Sequence, residues 1–326
     1  MPHITVINPG LCTTIQDQGR TGFMSSGFSP SGVMDRRALN LANILVGNPM
    51  DTPVLEFALS GPTLTFQEDT ICALTGAYFN ATLDDNPVAS YRAFLAPAGS
   101  QLSLPVASKG VYGYLAVSGG FVGDEVMGSA STNLKCAIGG YQGRALQAGD
   151  ELETAQGSFP PEVLSLGNPY RNDPYYQFDY SVREIRVIPG PQAEQFDSHS
   201  LHRFYSSDYT VTPQSDRMGY RLSGPAVAGP KGSDIISDGI AFGAIQVPSQ
   251  GTPIIMLADR QTTGGYAKIA TVASVDIPLL VQRRPGQKVR FTAVSVPVAQ
   301  DLYKIQKAYL EHVQSIVEER IRHAAQ

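Results

Sequence analysis

The chain has 326 residues, 42% of them hydrophobic and 16% charged, with a formal net charge of −5 and no tryptophan. That length suits two domains, or one large β domain with an appendage, and the balance of residues is globular with no segment that reads as disordered. Lysines and arginines do not cluster, so nothing marks a nucleic-acid or anionic-membrane partner, and no run approaches the ~20 apolar residues of a membrane-spanning helix.

In chain order, the N-terminal MPHITVINPG lacks the basic start and apolar stretch of a signal peptide, and a cytoplasmic protein is expected. The run Thr13–Gly22, TTIQDQGRTG, sets Asp, Arg and Gln among glycines. Buried β structure prefers Val, Ile and aromatics, so folding alone explains such a run poorly. A helix is predicted over Asp35–Val46, with Asp35 as its cap, Ala38, Leu39, Ala42, Leu45 and Val46 at helical spacing, and Gly47-Asn48-Pro49 as its stop. Short β-rich runs follow, TICALTG at Thr70–Gly76, FNATLDDNPV at Phe79–Val88 and YGYLAVSGG at Tyr112–Gly120, with a turn at Asp84-Asp85-Asn86-Pro87. This rhythm predicts a barrel or sandwich.

Ala155–Tyr180, rich in proline, tyrosine and asparagine, breaks the rhythm and reads as a linker. REIRVIPGP restarts the strands, and AIQVP, PIIMLADR and KVRFTAV continue them. The tail from Val298 to Ala324 reads as a helix with Leu302, Ile305, Tyr309, Val313, Ile316 and Ile321 on one stripe. The expectation is a mainly β chain with few short helices: a β-rich half over 1–157, a linker over 158–181, a second barrel-like half over 182–297 and a C-terminal helix over 298–326.

Several chemistries are excluded by counting. Cys12, Cys72 and Cys136 are too few and too widely spaced for a disulfide framework or zinc site, and read as three reduced core thiols. The five histidines argue against a histidine-served nucleophile, because three lie near the termini or on the tail. His199 and His202 can share a helix face, yet no cysteine or patterned carboxylate completes a metal site, so they read as surface residues. Gly224–Gly229 followed by Lys231 and Ser233 nearly spells a phosphate loop, but Pro230 interrupts it. No lysine has the context of a biotin carrier.

What remains is a set of carboxylates, arginines and amides. The first group is Gln16, Asp17 and Arg20, then Ser31, Met34 and Asp35, then Asn43, Asn48 and Glu56. The second is Asp216, Arg217 and Arg221, then Gln246, then Asp259, Gln261, Thr262, Thr263, Gly264, Gly265, Tyr266 and Lys268. An arginine beside glycines presents a planar fork to a carboxylate or phosphate while the glycine backbone approaches closely. Plainer roles compete: Asp35 as a cap, Glu56 as a buried ion-pair partner, Arg217 and Arg221 as surface residues, Gly264-Gly265 as a tight hairpin turn.

TTIQDQGRTGF, SGVMDRRALNLANILVGN, LEF, MGS-x-STNLK-x-x-IGG at Met127–Gly140, SDRMGYRL-x-GP, GAIQVP, LADRQTTGGYAKIATV and RPGQKVRF follow in order, within a likeness that runs from about residue 3 to residue 297. In these motifs the chain resembles the biotin-dependent carboxyltransferase and allophanate-hydrolase-subunit-2 family. The resemblance implies cyclophilin-like β-barrel architecture for both halves.

For free-standing members of this length the resemblance also implies ATP-coupled hydrolysis of 5-oxoproline, a stable lactam, to glutamate. Two partners are implied with it, a B subunit of related fold and an A subunit. ATP with magnesium is the implied cofactor, held by this chain or at the contact with the B subunit, without covalent biotin. Asp259 would orient water or magnesium, and Arg217 or Arg20 would hold the substrate carboxylate or a moving phosphoryl group, with Gln261 and Asp216 beside them. Two other readings stay open: a carboxyltransferase served by biotin on a separate protein, and a non-catalytic regulator that binds a partner resembling the B subunit.

Overall fold

The computed structural model describes residues 3–166, 182–227 and 234–324. Contacts divide the chain into two compact units, one of Met1–Arg20, Asp35–Phe178 and Ala308–Gln326, the other of Thr21–Met34 and Asp179–Lys307. Residues 167–181 of the expected linker lie outside the described residues, as do Gly229, Pro230, Lys231 and Ser233 of the phosphate-loop look-alike. Among the described residues, no helix is long and apolar enough to cross a membrane.

The first unit holds β1 His3–Asn8, β2 Thr13–Gln16, α1 Arg36–Leu45, β3 Val54–Ala58, β4 Thr63–Phe66, β5 Thr70–Tyr78, β6 Thr82–Leu83, β7 Asn86–Pro87, β8 Ala93–Ala96, β9 Gln101–Ser103, β10 Lys109–Val117 and β11 Glu151–Glu153. They form two antiparallel sheets, ordered β11-β1-β4-β9-β6-β7 and β2-β3-β10-β5-β8. Along β1 buried Ile4 and Val6 alternate with outward residues, the period of a strand with one wet face. β10 is buried almost throughout, because its sheet is covered on both sides. One cover is the core of Ile15, Leu55, Phe57, Leu64, Phe66, Cys72 and Leu74. The other is α1, tied to β5 by the Thr75 hydroxyl donating to the Ala38 carbonyl at 2.8 Å.

Helix α1 starts where the sequence predicts, with an Asp35 carboxylate oxygen accepting from the Ala38 N–H at 2.9 Å. It ends at Gly47, whose φ of +73° is left-handed. The predicted turn after β6 is a two-residue hairpin in which Asp84 and Asp85 both have positive φ, 47° and 63°. That mirror-image geometry follows the twist of the flanking strands.

The second unit holds β12 Glu184–Pro189, α2 Ser198–Ser206, β13 Tyr209–Val211, β14 Gly219–Ser223, β15 Asp234–Gly239, β16 Ala244–Val247, β17 Ile254–Met256, β18 Thr263–Val272, α3 Ile277–Val281 and β19 Lys288–Ala293. Their sheet is ordered β12-β19-β13-β14-β17-β16-β18-β15, and β12 also pairs with β18. That extra pairing closes a barrel and leaves β15 as a strand hung from β18 outside the ring. β12 is fixed by a parallel pairing to β19 and an antiparallel one to β18. At one end of the core Phe204 of α2 stacks on Phe291 with centroids 4.7 Å apart.

α4, Val296–Ala324, closes the chain, and its residues from Ala308 onward belong to the first unit. The predicted stripe is partly displaced. Leu310, Val313 and Val317 are buried, whereas Ile305 is 52% exposed. The thiols also differ from expectation: Cys72 is in the core, Cys12 is half-buried and Cys136 is exposed. The pair Gly264-Gly265 is not a hairpin turn, since both glycines lie inside β18, which runs unbroken from Thr263 to Val272.

Candidate functional site

Each unit carries its own candidates. In the first, Asp17 at the end of β2 is surrounded by donors: Oδ1 accepts from the Gly19 N–H at 2.7 Å, the Ser129 hydroxyl at 2.6 Å and the Ser131 hydroxyl at 2.5 Å. Its Oδ2 accepts from the Ala130 N–H at 2.7 Å. Arg20, 1% exposed, donates to the Val126 and Ser131 carbonyls. Gln16 donates to the Thr132 carbonyl at 2.9 Å. These three side chains therefore hold the loop around Ser129–Asn133 against β2.

Asp35 and Glu56 meet through a phenol: the Asp35 N–H donates to the Tyr114 hydroxyl, which donates to Glu56 Oε2, both at 2.8 Å. Burial, then the charge of Glu56, lifts the Tyr114 phenol well above its usual range. Asn43 donates to the Thr52 carbonyl at 2.8 Å, and Asn48 donates to the Val117 carbonyl and accepts from the Gly119 N–H, each at 2.8 Å. Ser31, with φ of +54°, and Met34 are buried and belong to the second unit.

In the second unit, Arg217 grips Asp259 in a fork, Nε to Oδ2 at 2.8 Å and Nη2 to Oδ1 at 3.2 Å. Nη2 also donates to the Gly32 carbonyl at 2.7 Å. Asp216 turns back on its own chain and accepts from the Met218 and Gly219 N–H groups at 2.9 and 3.0 Å. Gln261 and Thr263 are exposed and Thr262 half-buried. Arg260, inside the Asp259–Lys268 run, is 6% exposed and donates to the Ile240 carbonyl at 2.9 Å.

Register brings three candidates together. Arg221 of β14 lies opposite Ile254 of β17, Ile254 opposite Gln246 of β16, and Gln246 opposite Lys268 of β18. Residues directly opposite in antiparallel strands share a face, so a row Arg221, Ile254, Gln246, Lys268 crosses four neighbouring strands, roughly 14 Å at the usual strand spacing. The row is exposed at Arg221 and buried at Gln246 and Lys268, which are 4% and 3% exposed.

A shift in the β16–β18 register, between Ile245 opposite Ala270 and Gln246 opposite Lys268, makes the row possible. One extra residue, Ile269, sits in β18, and such a bulge re-aims the side chains beside it. Lys268 thereby faces Gln246 instead of sharing the face of Ala270. Lys268 Nζ bonds Asp238 of β15 at 3.2 Å. Gln246 Nε2 reaches the Tyr266 carbonyl at 3.4 Å, a long bond. Gly264 makes room for that amide, because a Cβ there would lie 2.8 Å from Gln246 Nε2. Tyr266 is 41% exposed.

The model of the carboxyltransferase domain, subdomain A and B, matches residues 26–293. The chain belongs to that carboxyltransferase domain family. It is 40% identical to the 5-oxoprolinase C subunit of Haemophilus influenzae, over 94% of this chain and 96% of that protein. It is 39% identical to the 5-oxoprolinase C subunit of Escherichia coli, over 95% of this chain and 97% of that protein. The crystal structure of Kluyveromyces lactis urea carboxylase superposes with a TM-score of 0.87 at 30% identity, over 95% of this chain. The chain spans 29% of that larger protein. All second-unit candidates from Ser31 onward fall inside the stretch matched by the carboxyltransferase domain family, whereas Gln16, Asp17 and Arg20 precede it.

Proposed function

We propose that this chain is one subunit of an ATP-dependent 5-oxoprolinase, hydrolysing 5-oxo-L-proline to L-glutamate together with the A and B subunits of that enzyme. The observation that carries this reading is end-to-end correspondence with two proteins named as the C subunit of 5-oxoprolinase, at 39–40% identity and with 96–97% of their length covered. The barrel face carries groups that suit an acidic small molecule, with Lys268 beside the Gln246 amide at one end of the row. The Arg217–Asp259 fork holds the turn after β17 in place, making both positioning residues in this reading.

ATP, when bound, supplies the driving force for opening a lactam that is stable in water. On this face Arg221, exposed at one end of the row, is the cation that would meet a nucleotide phosphate. Among the described residues no group of three or more His, Cys, Asp or Glu side chains is placed to hold a metal.

The test is reconstitution. The purified chain alone should release no glutamate from 5-oxoproline, and adding the A and B subunits should produce ATP-dependent release that disappears when this chain is left out. Turnover by this chain alone, or undiminished turnover by the other two without it, overturns the proposal. The likeness to urea carboxylase supports a second reading, carboxyl transfer from biotin on a separate carrier. Carboxylation in the presence of a biotinylated carrier, with no glutamate release, would select it.

A further inference from the structure

Lys268 is 3% exposed, and a buried ammonium without an acceptor is strongly disfavoured. The acceptor that the described residues place on its Nζ is Asp238 Oδ2, at 3.2 Å. That partner sits at the edge of the sheet, with its backbone paired opposite Gly264. Its side chain is 57% exposed, it belongs to β15, the strand outside the closed ring, and the β15–β18 register is itself irregular between Asp234 and Asp238. Its other bonds are a local one, Oδ1 accepting from the Gly239 N–H at 2.7 Å, and a minor one from the Gln192 side chain. A fixed, buried cation thus meets a carboxylate arriving from solvent.

The neighbouring groups suit the same kind of acceptor. Gln246 sits opposite Lys268 in register, and its amide is spent on a long 3.4 Å bond to the Tyr266 carbonyl, leaving a good donor available to a better acceptor. Gly264 of β18 gives its space to the Gln246 amide and to Ile240, which seats that amide beside the strand.

We propose that Lys268 and Gln246 form a carboxylate-binding subsite on the barrel, and that Asp238 occupies it until the carboxylate of a small acidic ligand takes its place. Exchange of one carboxylate for another keeps Lys268 paired, so the buried ammonium is never left without an acceptor. The Lys268 hydrogen bond holds the Asp238 carboxyl below its usual range, as an occupied oxyanion position should. The subsite rests on the 5-oxoprolinase reading for its ligand, whose single carboxylate would anchor there.

Calorimetric titration of the full chain tests this with 5-oxoproline, L-glutamate, 2-pyrrolidone and inorganic phosphate. 5-Oxoproline and glutamate should bind, and 2-pyrrolidone, a lactam without a carboxylate, should not. Lys268→Met, which fills the same space without charge, should weaken binding about 10–100-fold, the worth of a charge-assisted hydrogen bond. Asp238→Asn leaves a neutral acceptor beside Lys268 but removes the competing charge, and the folded variant should tighten binding about 2–5-fold.

Preferential binding of phosphate overturns the assignment to carboxylates. So does unaltered or weaker binding in Asp238→Asn, unaltered binding in a folded Lys268→Met, or no binding by the wild-type chain either alone or with the A and B subunits. The two proposals fail separately. Lys268-dependent binding without reconstituted turnover sinks the enzyme reading alone, and turnover whose KM ignores Lys268 and Asp238 sinks the subsite alone.

Discussion

Arg217 and Asp259 are joined at two points by a planar fork, and the same guanidinium holds the Gly32 carbonyl. Their side chains are 13% and 17% exposed, so the pair is largely shielded but not sealed from water. Such a carboxylate is compensated and geometrically fixed, which suits positioning better than proton abstraction.

Arg217→Ala strands the Asp259 carboxylate and the Gly32 carbonyl together, and should cost about 2–3 kcal/mol. Asp259→Asn keeps one acceptor and should cost about 1–2 kcal/mol. The double variant should be no worse than Arg217→Ala, since the two act as one unit. Gln261→Ala, at an exposed position, should stay within about 0.5 kcal/mol of wild type. Urea unfolding of the four proteins checks this; an Asp259→Asn chain with unchanged stability but ~100-fold lower turnover in the complex would restore Asp259 as a chemical participant.

Asp17 carries a different load, four hydrogen bonds to four residues, three of them more than a hundred positions away in sequence. Asp17→Ala should cost at least about 3 kcal/mol, because buried donors lose a charged acceptor together. Limited proteolysis should show early cutting between Val126 and Cys136 in that variant, and resistance equal to wild type would mean that the loop is held by other contacts.

The acid limb of the stability curve should report on Asp150. The Arg144 side chain holds its carboxyl below the usual range, through bonds of 2.8 Å to each oxygen, and the Gln147 N–H adds to this. A carboxyl whose folded value is depressed contributes stability that is full above its unfolded value, near 4, and is lost as pH falls through the folded value. Asp150→Asn should therefore lower the melting temperature at pH 7 and lower it much less at pH 3. An equal loss at both values would assign the effect to packing.

What the sequence reveals depends on how local the physics is. The start and stop of α1 and the Asp84-Asp85 turn are legible because a cap, a glycine and a short polar pair act within a few residues. α2 is not, since only Ser200 and Phe204 of its nine residues are buried and the apolar spacing is thin. Asp17 and Arg20 read as ligand-binding from composition, but their partners are brought in by the fold. The row from Arg221 to Lys268 depends on strand order and on a bulge at Ile269, neither of which spacing encodes. Gly264 looks like a turn residue until the packing of Gln246 against it gives another reason for the missing side chain.

The same lesson applies to α4, where periodicity offers two faces and the first unit selects one. Val313 is fully buried, Leu310 and Val317 nearly so, and Ile321 approaches Gly47, where an added Cβ would lie 2.8 Å from its Cδ1. Ile305, on the predicted stripe, is half in water. Val313→Ala should cost about 1.5–3 kcal/mol, from lost transfer energy and the cavity left behind, while Ile305→Ala should cost under about 0.5 kcal/mol. Ending the chain at Lys307 removes three buried aliphatic side chains, each contributing on the order of 1.5–3 kcal/mol before the entropy of ordering the helix is subtracted. The truncated chain should therefore melt well below the full-length protein, and a wider gap between Val313→Ala and Ile305→Ala than between Ile305→Ala and wild type should appear in chemical denaturation. Equal costs at positions 305 and 313 would mean that the predicted stripe docks along its length, Ile305 included, and not only through the turns that bury Leu310, Val313 and Val317.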